Sequence, residues 1–248
     1  MRFLAFFKRQ IVSTVKRVFR KLGYELVADS ASYMTMDGGL ARLKQRGIKI
    51  DTVIDVGASN GRWSELCQKH YPLAAYHMLE AQEEYSRPLT ELCKKNKTWS
   101  FTIKAVADKS GDIYFDNHIV GGGIASRDKV DDNFKKMQAT TIDDEVKQFV
   151  LKGPYLVKLD THGFEIQILE GAAETLKQAN ALVIECYNFR LNPNAKKFHE
   201  MVAYLENKGF HCIDMVDLSL RKKDSFLWQM DIFFARNEMK GFEDNTFE

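Results

Sequence analysis

The sequence is short of the residues that interrupt or cross-link a chain: its 248 residues include only 4 Pro, 15 Gly and 4 Cys. So little proline and glycine excludes collagen-like and low-complexity character, and the lack of a fixed-period repeat excludes solenoids and propellers. Cys67, Cys93, Cys186 and Cys212 stand far apart with no CxxC pair, so neither a zinc site of that kind nor a redox pair is expected. Reduced, mostly buried thiols of a cytoplasmic protein are expected instead. No apolar run approaches the roughly 18 residues of a membrane span. The apolar stretch at residues 3–7 is also too short for a secretory signal.

What is present is a globular composition, 45% hydrophobic and 28% charged, at a length that suits one α/β domain with an appendage. The net charge of +2 conceals an asymmetry. Arg2, Lys8, Arg9, Lys16, Arg17, Arg20 and Lys21 fall in the first 22 residues without an acid; setting those seven aside leaves 29 basic against 34 acidic residues, a balance of about −5. Leu4, Phe7, Ile11, Val15, Val18 and Leu22 recur at three and four residues, which predicts a basic amphipathic helix. Such a helix can cap the body, lie in a membrane interface or touch nucleic acid. Phe3, Phe6, Phe7 and Phe19 favour lipid over RNA, since a helix tracking phosphates has no use for them. The division predicted is a basic helix and connector at 1–50, a ligand-binding domain at 51–240 and an acidic tail at 241–248.

From residue 51 onward short β-branched runs alternate with helical segments, the pattern of a parallel sheet covered on both faces. Strands are expected at 52–56, 75–80, 100–106, 155–160 and 182–186, all buried. The stretch 108–144 reads as less regular, with one short strand at 113–115 and a triple glycine at 121–123. A helix at 195–208 ending at Gly209 precedes two further strands, 211–216 and 230–235, whose short polar connection around 221–225 forces them antiparallel. The expected fold is therefore α/β, a doubly wound Rossmann-like, mainly parallel sheet ending in an antiparallel edge hairpin.

In such sheets ligands bind at the carboxyl ends of the strands. The first strand exits into Val56-Gly57-Ala58-Ser59-Asn60-Gly61. Gly57 and Gly61 permit a tight turn and close backbone approach, and Ser59 or Asn60 is suited to cap the next helix. Asp55 and Glu80 end the first two strands. The glycine spacing is not the G-x-G-x-x-G of dinucleotide sites, and an acid at Asp55 would repel pyrophosphate while pairing with a cationic amino-acid moiety. The turn thus favours a ligand with an α-amino group, a ribose and no phosphate, a composition that S-adenosylmethionine has. An NAD(P)-dependent oxidoreductase, or a non-catalytic scaffold tethered by the basic helix, are the alternatives.

These residues resemble the FkbM-type S-adenosylmethionine-dependent methyltransferases. The resemblance runs over residues 50–237. The turn Val53-Ile54-Asp55-Val56-Gly57-Ala58-Ser59-Asn60-Gly61 is similar to F-I-D-V-G-A-N-x-G. The segment Leu156-Val157-Lys158-Leu159-Asp160-Thr161-His162-Gly163-Phe164-Glu165, continued by Leu169-Glu170-Gly171-Ala172, is similar to L-K-I-D-x-x-G-x-E-x-x-x-L-x-G-A. Lesser matches are Ala105-Val106-Ala107-Asp108, Thr140-Thr141-Ile142-Asp143 and Glu185. One departure is Leu79-Glu80-Ala81-Gln82, where F-E-P is usual.

The resemblance implies a class I methyltransferase fold, with S-adenosylhomocysteine as product, and methyl transfer to an oxygen of a sugar, glycan or similar polyhydroxylated acceptor. It places Asp55, Gly57, Ala58, Ser59, Asn60, Gly61, Glu80, Ala81, Val106, Ala107 and Asp160 at the cofactor. Asp160 and His162 are the candidates for the base that takes the hydroxyl proton. His118, Glu165, Glu185 and Tyr187 are candidate acceptor contacts, although Glu165 would equally suit a helix N-terminus. Asp160, Glu185 and His162 have the chemistry of metal ligands, but no spacing demands a metal and none is assigned. A glycan acceptor and a membrane surface met by residues 1–22 are the expected partners. Nucleic acid is not, because the D/N-P-P-Y motif is absent. The place of action would be cytoplasmic, peripheral at the inner face of a membrane.

Overall fold

The computed structural model describes residues 33–116, 118, 122–238, 240–244 and 246, together with Val15, Phe19 and Lys21. The amphipathic helix expected over residues 1–22 thus lies outside the described residues except at those three, which are helical and exposed. Among the described residues no helix is long and apolar enough to cross a membrane.

The main sheet contains β1 (Thr52–Val56), β2 (Ala75–Glu80), β3 (Trp99–Ile103), β8 (Tyr155–Leu159), β9 (Ala179–Tyr187), β10 (Phe210–Leu220) and β11 (Leu227–Arg236). Their spatial order is β10-β11-β9-β8-β1-β2-β3. The five strands from β9 to β3 run parallel, whereas β11 is antiparallel to both β9 and β10. This is the doubly wound, mainly parallel sheet with an antiparallel edge hairpin that the sequence predicts.

Alternation along the strands sends their side chains to two cores. Val53, Tyr76, Met78, Leu156 and Val183 point to one face, covered by helices α1 (Met36–Gln45), α2 (Arg62–Gln68) and α3 (Ser86–Lys95). Ile54, Val56, Leu79, Val157, Leu182 and Ile184 point to the other, covered by α4 (Ile142–Gln148), α5 (Glu165–Glu170), α6 (Ala173–Lys177) and α7 (Phe198–Glu206). Helix α1 begins with Thr35, whose hydroxyl accepts from the Gly38 amide at 3.1 Å. Its interior Gly39 costs about 1 kcal/mol of helix propensity, yet a Cβ there would lie 2.7 Å from the Phe233 ring. Close helix–sheet approach therefore selects glycine. Arg42 fixes the same helix to β10 through two hydrogen bonds to Asp214, at 2.6 and 2.9 Å.

Two features depart from the sequence reading. The strand expected over 100–106 divides at Lys104. β2 ends at Glu80 opposite Ile103, so β3 has no partner beyond that point, and β4 (Ala105–Val106) pairs instead with β7 (Phe134–Thr140). The stretch 108–144 is more regular than expected, since β5 (Gly111–Asp116), β6 (Ile124–Ser126) and β7 join β4 in a second sheet ordered β4-β7-β5-β6. Lys135, Lys136 and Gln138 make β7 too polar to read as a strand; they are exposed, and it is buried at its two ends, at Phe134 and at Ala139 and Thr140. This small sheet stands over the strand exits and forms one side of the cleft described next. The cysteines are free as expected, although only Cys67 and Cys186 are buried and Cys212 is exposed.

Candidate active site

Beyond the carboxyl ends of β1, β2 and β8 lies a cleft with about 630 Å³ of empty space, part of it open to solvent. Its floor is the turn after β1. Gly57 takes φ +74, and a Cβ there would lie 2.0 Å from the Asp160 carbonyl oxygen, so the close passage of the β1 and β8 exits requires glycine. Gly61, at φ +80, packs on Leu89 and Leu92 of α3 and is itself the N-cap of α2. Neither Ser59 nor Asn60 is the N-cap residue, although Asn60 Oδ1 accepts from the Arg62 amide at 3.4 Å.

Glu80 closes the second side of the turn. Its carboxylate accepts from the Ser59 amide at 2.7 Å and the Gln82 amide at 2.8 Å. Burial raises its pKa, with these backbone bonds opposing the rise. Gly57, Ser59, Glu80, Ala81, Val106, Asp160 and His162 all line the cleft. The remaining positions expected at the cofactor do not. Ala58 is buried in the turn, where its carbonyl accepts from Gly61. Asn60 faces Arg62, and the Ala107 amide is held by the Thr140 carbonyl.

Asp55 also has a different surrounding from the one expected. It is fully buried, accepts from the Ser64 hydroxyl at 2.7 Å and lies 3.1 Å from the Lys158 ammonium. The cation that neutralises it is therefore a side chain of the protein and not a ligand's amino group. Lys158 was quoted in the sequence motif without a role. A charged residue in the otherwise apolar strand Tyr155–Leu159 was the available signal, for an isolated buried lysine is costly. Its ammonium donates to the Gly57 carbonyl at 2.9 Å and reaches Asp160 at 3.4 Å. Burial would lower its pKa, but Asp55 and Asp160 outweigh that and hold it above its ordinary value.

Asp160 and His162 sit at the exit of β8 with Glu185 of β9 beside them. One donor atom from each lies within 4.8 Å of the other two. His162 has φ +52, an unfavourable backbone for a residue with a Cβ, and Gly163 follows at φ +98. This turn aims the imidazole across the cleft, where Nδ1 meets the Gly123 carbonyl at 3.3 Å and Nε2 faces Asp160 Oδ1 at 3.7 Å. Burial pushes Glu185 up to about 9, reinforced by its hydrogen bond with Asp160 and the charge of that neighbour. Asp160 moves the other way: burial opposes ionisation, but Lys158 prevails and keeps it below its ordinary value.

Of the expected acceptor contacts, Tyr187 donates its hydroxyl to Glu185 behind the cleft wall. Glu165 is buried and accepts from the Gly163 amide at 2.8 Å and Thr161 at 3.2 Å, so its carboxylate fastens the turn and does not face the cleft. His118 is exposed and bonded to Asp116, away from the other residues of the site. Asp231, which the sequence reading missed, stands opposite Glu185 in the β9–β11 pairing; burial followed by the Asp160 charge raises it to about 7. Trp228 is half-buried, 5.8 Å from the Tyr187 ring and stacked on Phe189 at 5.2 Å, with Arg221 over Phe189 at 4.2 Å.

Solved structures similar to this chain include a putative O-methyltransferase from Klebsiella pneumoniae at 10% identity, covering 92% of this chain and 90% of that one, TM-score 0.47. The Methanococcus jannaschii fibrillarin pre-rRNA processing protein is similar at 13% identity over 83% and 76%, TM-score 0.49. A precorrin-6y C5,15-methyltransferase from Geobacter metallireducens is similar at 10% over 85% and 91%, TM-score 0.44. No curated protein matches the sequence. The Methyltransferase FkbM domain, by contrast, matches residues 55–212, which is more than half of the chain and takes in the glycine turn, Glu80 and the Asp160 turn together. The chain belongs to the FkbM methyltransferase family.

Proposed function

We propose that this protein transfers the methyl group of S-adenosylmethionine to a hydroxyl of a sugar, glycan or similar polyhydroxylated acceptor. Family membership supports the methyl donor. The observation that carries the reading is that the glycine turn with Glu80 and the Asp160–His162 turn line one and the same cleft. When bound, the donor supplies an electrophilic methyl on a sulfonium, already a good leaving group.

The chain has two tasks. It must hold donor and acceptor oxygen in line, a contribution of up to roughly 7 to 11 kcal/mol in ideal cases, and it must take the hydroxyl proton, worth roughly 10² to 10⁴ in rate. Glu80 would hold the ribose hydroxyls at the turn, since its carboxylate keeps lone pairs beyond those used by Ser59 and Gln82. His162, with Asp160 beside it, would receive the proton. The half-buried face of Trp228 with Phe189 supports a carbohydrate acceptor, because an aromatic plane next to carboxylates suits a ring with one apolar face and a hydroxylated rim. The basic and phenylalanine-bearing residues 1–22 support work at an anionic membrane surface.

Calorimetric titration with S-adenosylmethionine and S-adenosylhomocysteine, with NAD and NADP as controls, tests the donor. Selective binding is expected, weakened about 10- to 100-fold in Glu80→Gln by loss of charged hydrogen bonds. Failure of both sulfur ligands to bind overturns the reading. For the membrane, vesicle pelleting that is unchanged by deletion of residues 1–22 removes the proposal.

A further inference from the structure

Three ligand-bearing side chains that lie at 160, 162 and 185 in the sequence meet at one point at the cleft wall. Each is oriented by a separate group behind it. The His162 Nδ1 is turned to the Gly123 carbonyl, which accepts a proton and cannot donate one. That contact leaves Nε2 as the free lone pair, and Nε2 is the atom that faces Asp160 Oδ1 at 3.7 Å. Asp160 uses its other oxygen, Oδ2, for Lys158 at 3.4 Å. Glu185 receives the Tyr187 hydroxyl on Oε1. An imidazole, a carboxylate and a second carboxylate, each fixed from behind by a carbonyl, an ammonium and a phenol, have the outer hydrogen bonding that orients metal ligands.

The 3.7 Å between His162 Nε2 and Asp160 Oδ1 falls between the roughly 3.0 and 4.2 Å that separate adjacent and opposite ligands bonded at about 2.1 Å to one ion, so small side-chain rotations would close the three donors around a cation.

We propose that Asp160 Oδ1, His162 Nε2 and a carboxylate oxygen of Glu185 form a binding site for a divalent cation of the Mg²⁺ or Mn²⁺ class. Oxygen donors in the majority with one imidazole suit these ions, and no thiolate is near to favour a softer one. Three protein ligands leave three of six octahedral positions open toward the cleft. Resting on the methyltransferase reading, this makes the acceptor a vicinal diol. Two adjacent hydroxyl oxygens would occupy two of those positions, and the cation would lower the pKa of the one that is methylated. The imidazole would then be a ligand, and the proton would pass from the metal-bound hydroxyl to water in the cleft, which is partly open to solvent.

The experiment uses the full chain freed of metal with EDTA and titrated with Mn²⁺, the free ion being counted by its electron paramagnetic resonance. One equivalent bound per chain is expected, displaced by excess Mg²⁺. Affinity should fall about tenfold or more in Glu185→Gln and in His162→Ala, while Glu91→Gln, exposed on α3 and paired with Lys94, leaves it unchanged. Thermal unfolding of each variant without metal verifies that it folds, and Mn²⁺ should raise the midpoint of the wild type but not of Glu185→Gln. No stoichiometric binding to the wild type, or binding equal in all variants, overturns the site and leaves His162 as a free base. Donor calorimetry on the same metal-free protein keeps the two readings apart: donor binding without Mn²⁺ binding defeats the cation site alone, and Mn²⁺ binding without donor binding defeats the methyltransferase reading alone.

Discussion

One wall of the cleft is built from backbone and the other from side chains. Residues 57 to 61 offer amides, a carbonyl and close approach, with Glu80 as their single charge. Next to them, Asp160 and His162 at the exit of β8 face the cleft, with Glu185 of β9 and Asp231 of β11 behind and Lys158 bridging to Asp160. The first wall tolerates no added bulk at Gly57, because its neighbours there are main-chain atoms of Asp160 that cannot rotate away. The second is sensitive to charge, because its groups share protons and counter-ions in a dry environment. Lys158 joins the two, bonded to the Gly57 carbonyl on one side and to Asp160 on the other.

Substitutions that break each wall in its own way sharpen this contrast. Gly57→Ala should have the largest effect: a methyl 2.0 Å from the Asp160 carbonyl at φ +74 cannot be relieved by a rotamer change. A loss upwards of about 5 kcal/mol is expected, measured by denaturant unfolding, and a loss under about 1 kcal/mol would show that the two exits can separate. Next comes Lys158→Met, which leaves Asp55 buried without its counter-charge. About 3 to 5 kcal/mol should be lost, and a second substitution, Asp55→Asn, should restore a good part of it. Smaller in stability but direct in function is Glu80→Gln, whose affinity loss for the donor should appear without a shift in unfolding midpoint.

The smallest effect lies beneath both walls. His77 and Glu145 are buried together at 2.9 Å, and Thr102 donates to the same carboxylate at 2.8 Å. Burial alone would raise the Glu145 pKa, but His77, Thr102 and Thr140 outweigh it and hold it below the ordinary 4.5. A carboxyl depressed in the folded state contributes stability above its unfolded pKa and loses it as the pH falls through the folded value. The wild type should therefore lose stability below about pH 4.5, up to about 1.4 kcal/mol for each unit of depression. Glu145→Gln should flatten that limb of the profile; an unchanged slope between pH 5 and 3 would place the acid sensitivity elsewhere.

The difference between the walls also explains what could be read in advance. The turn at Gly57, the acid at Glu80 and the strands at 52–56 and 75–80 are local. Glycine spacing and apolar runs report them, because neighbouring residues in the chain stay neighbours in space. The second sheet was not legible, since β7 buries little of its surface and its pairing with β4 depends on where β2 stops. Asp55 was placed at the right strand end but given the wrong partner, for its counter-ion comes from 103 positions further on, across the β1–β8 pairing. Glu165 was recognised as a charged residue of the right turn, and only the path of that turn assigns its carboxylate to the Gly163 amide.

By itself the sequence determined the order of elements, the doubly wound sheet, the antiparallel edge and the glycine turn, all of which follow from periodicity, turn chemistry and short connections. Only the tertiary structure decided which charges meet. The register of β8 against β1 and β9, and of β9 against β11, brings Asp55, Lys158, Asp160, Glu185 and Asp231 together from four strands that are separate in the chain. In that buried place the energy of each charge depends on the distance to the next and on the water excluded between them, and neither quantity is written in spacing along the chain.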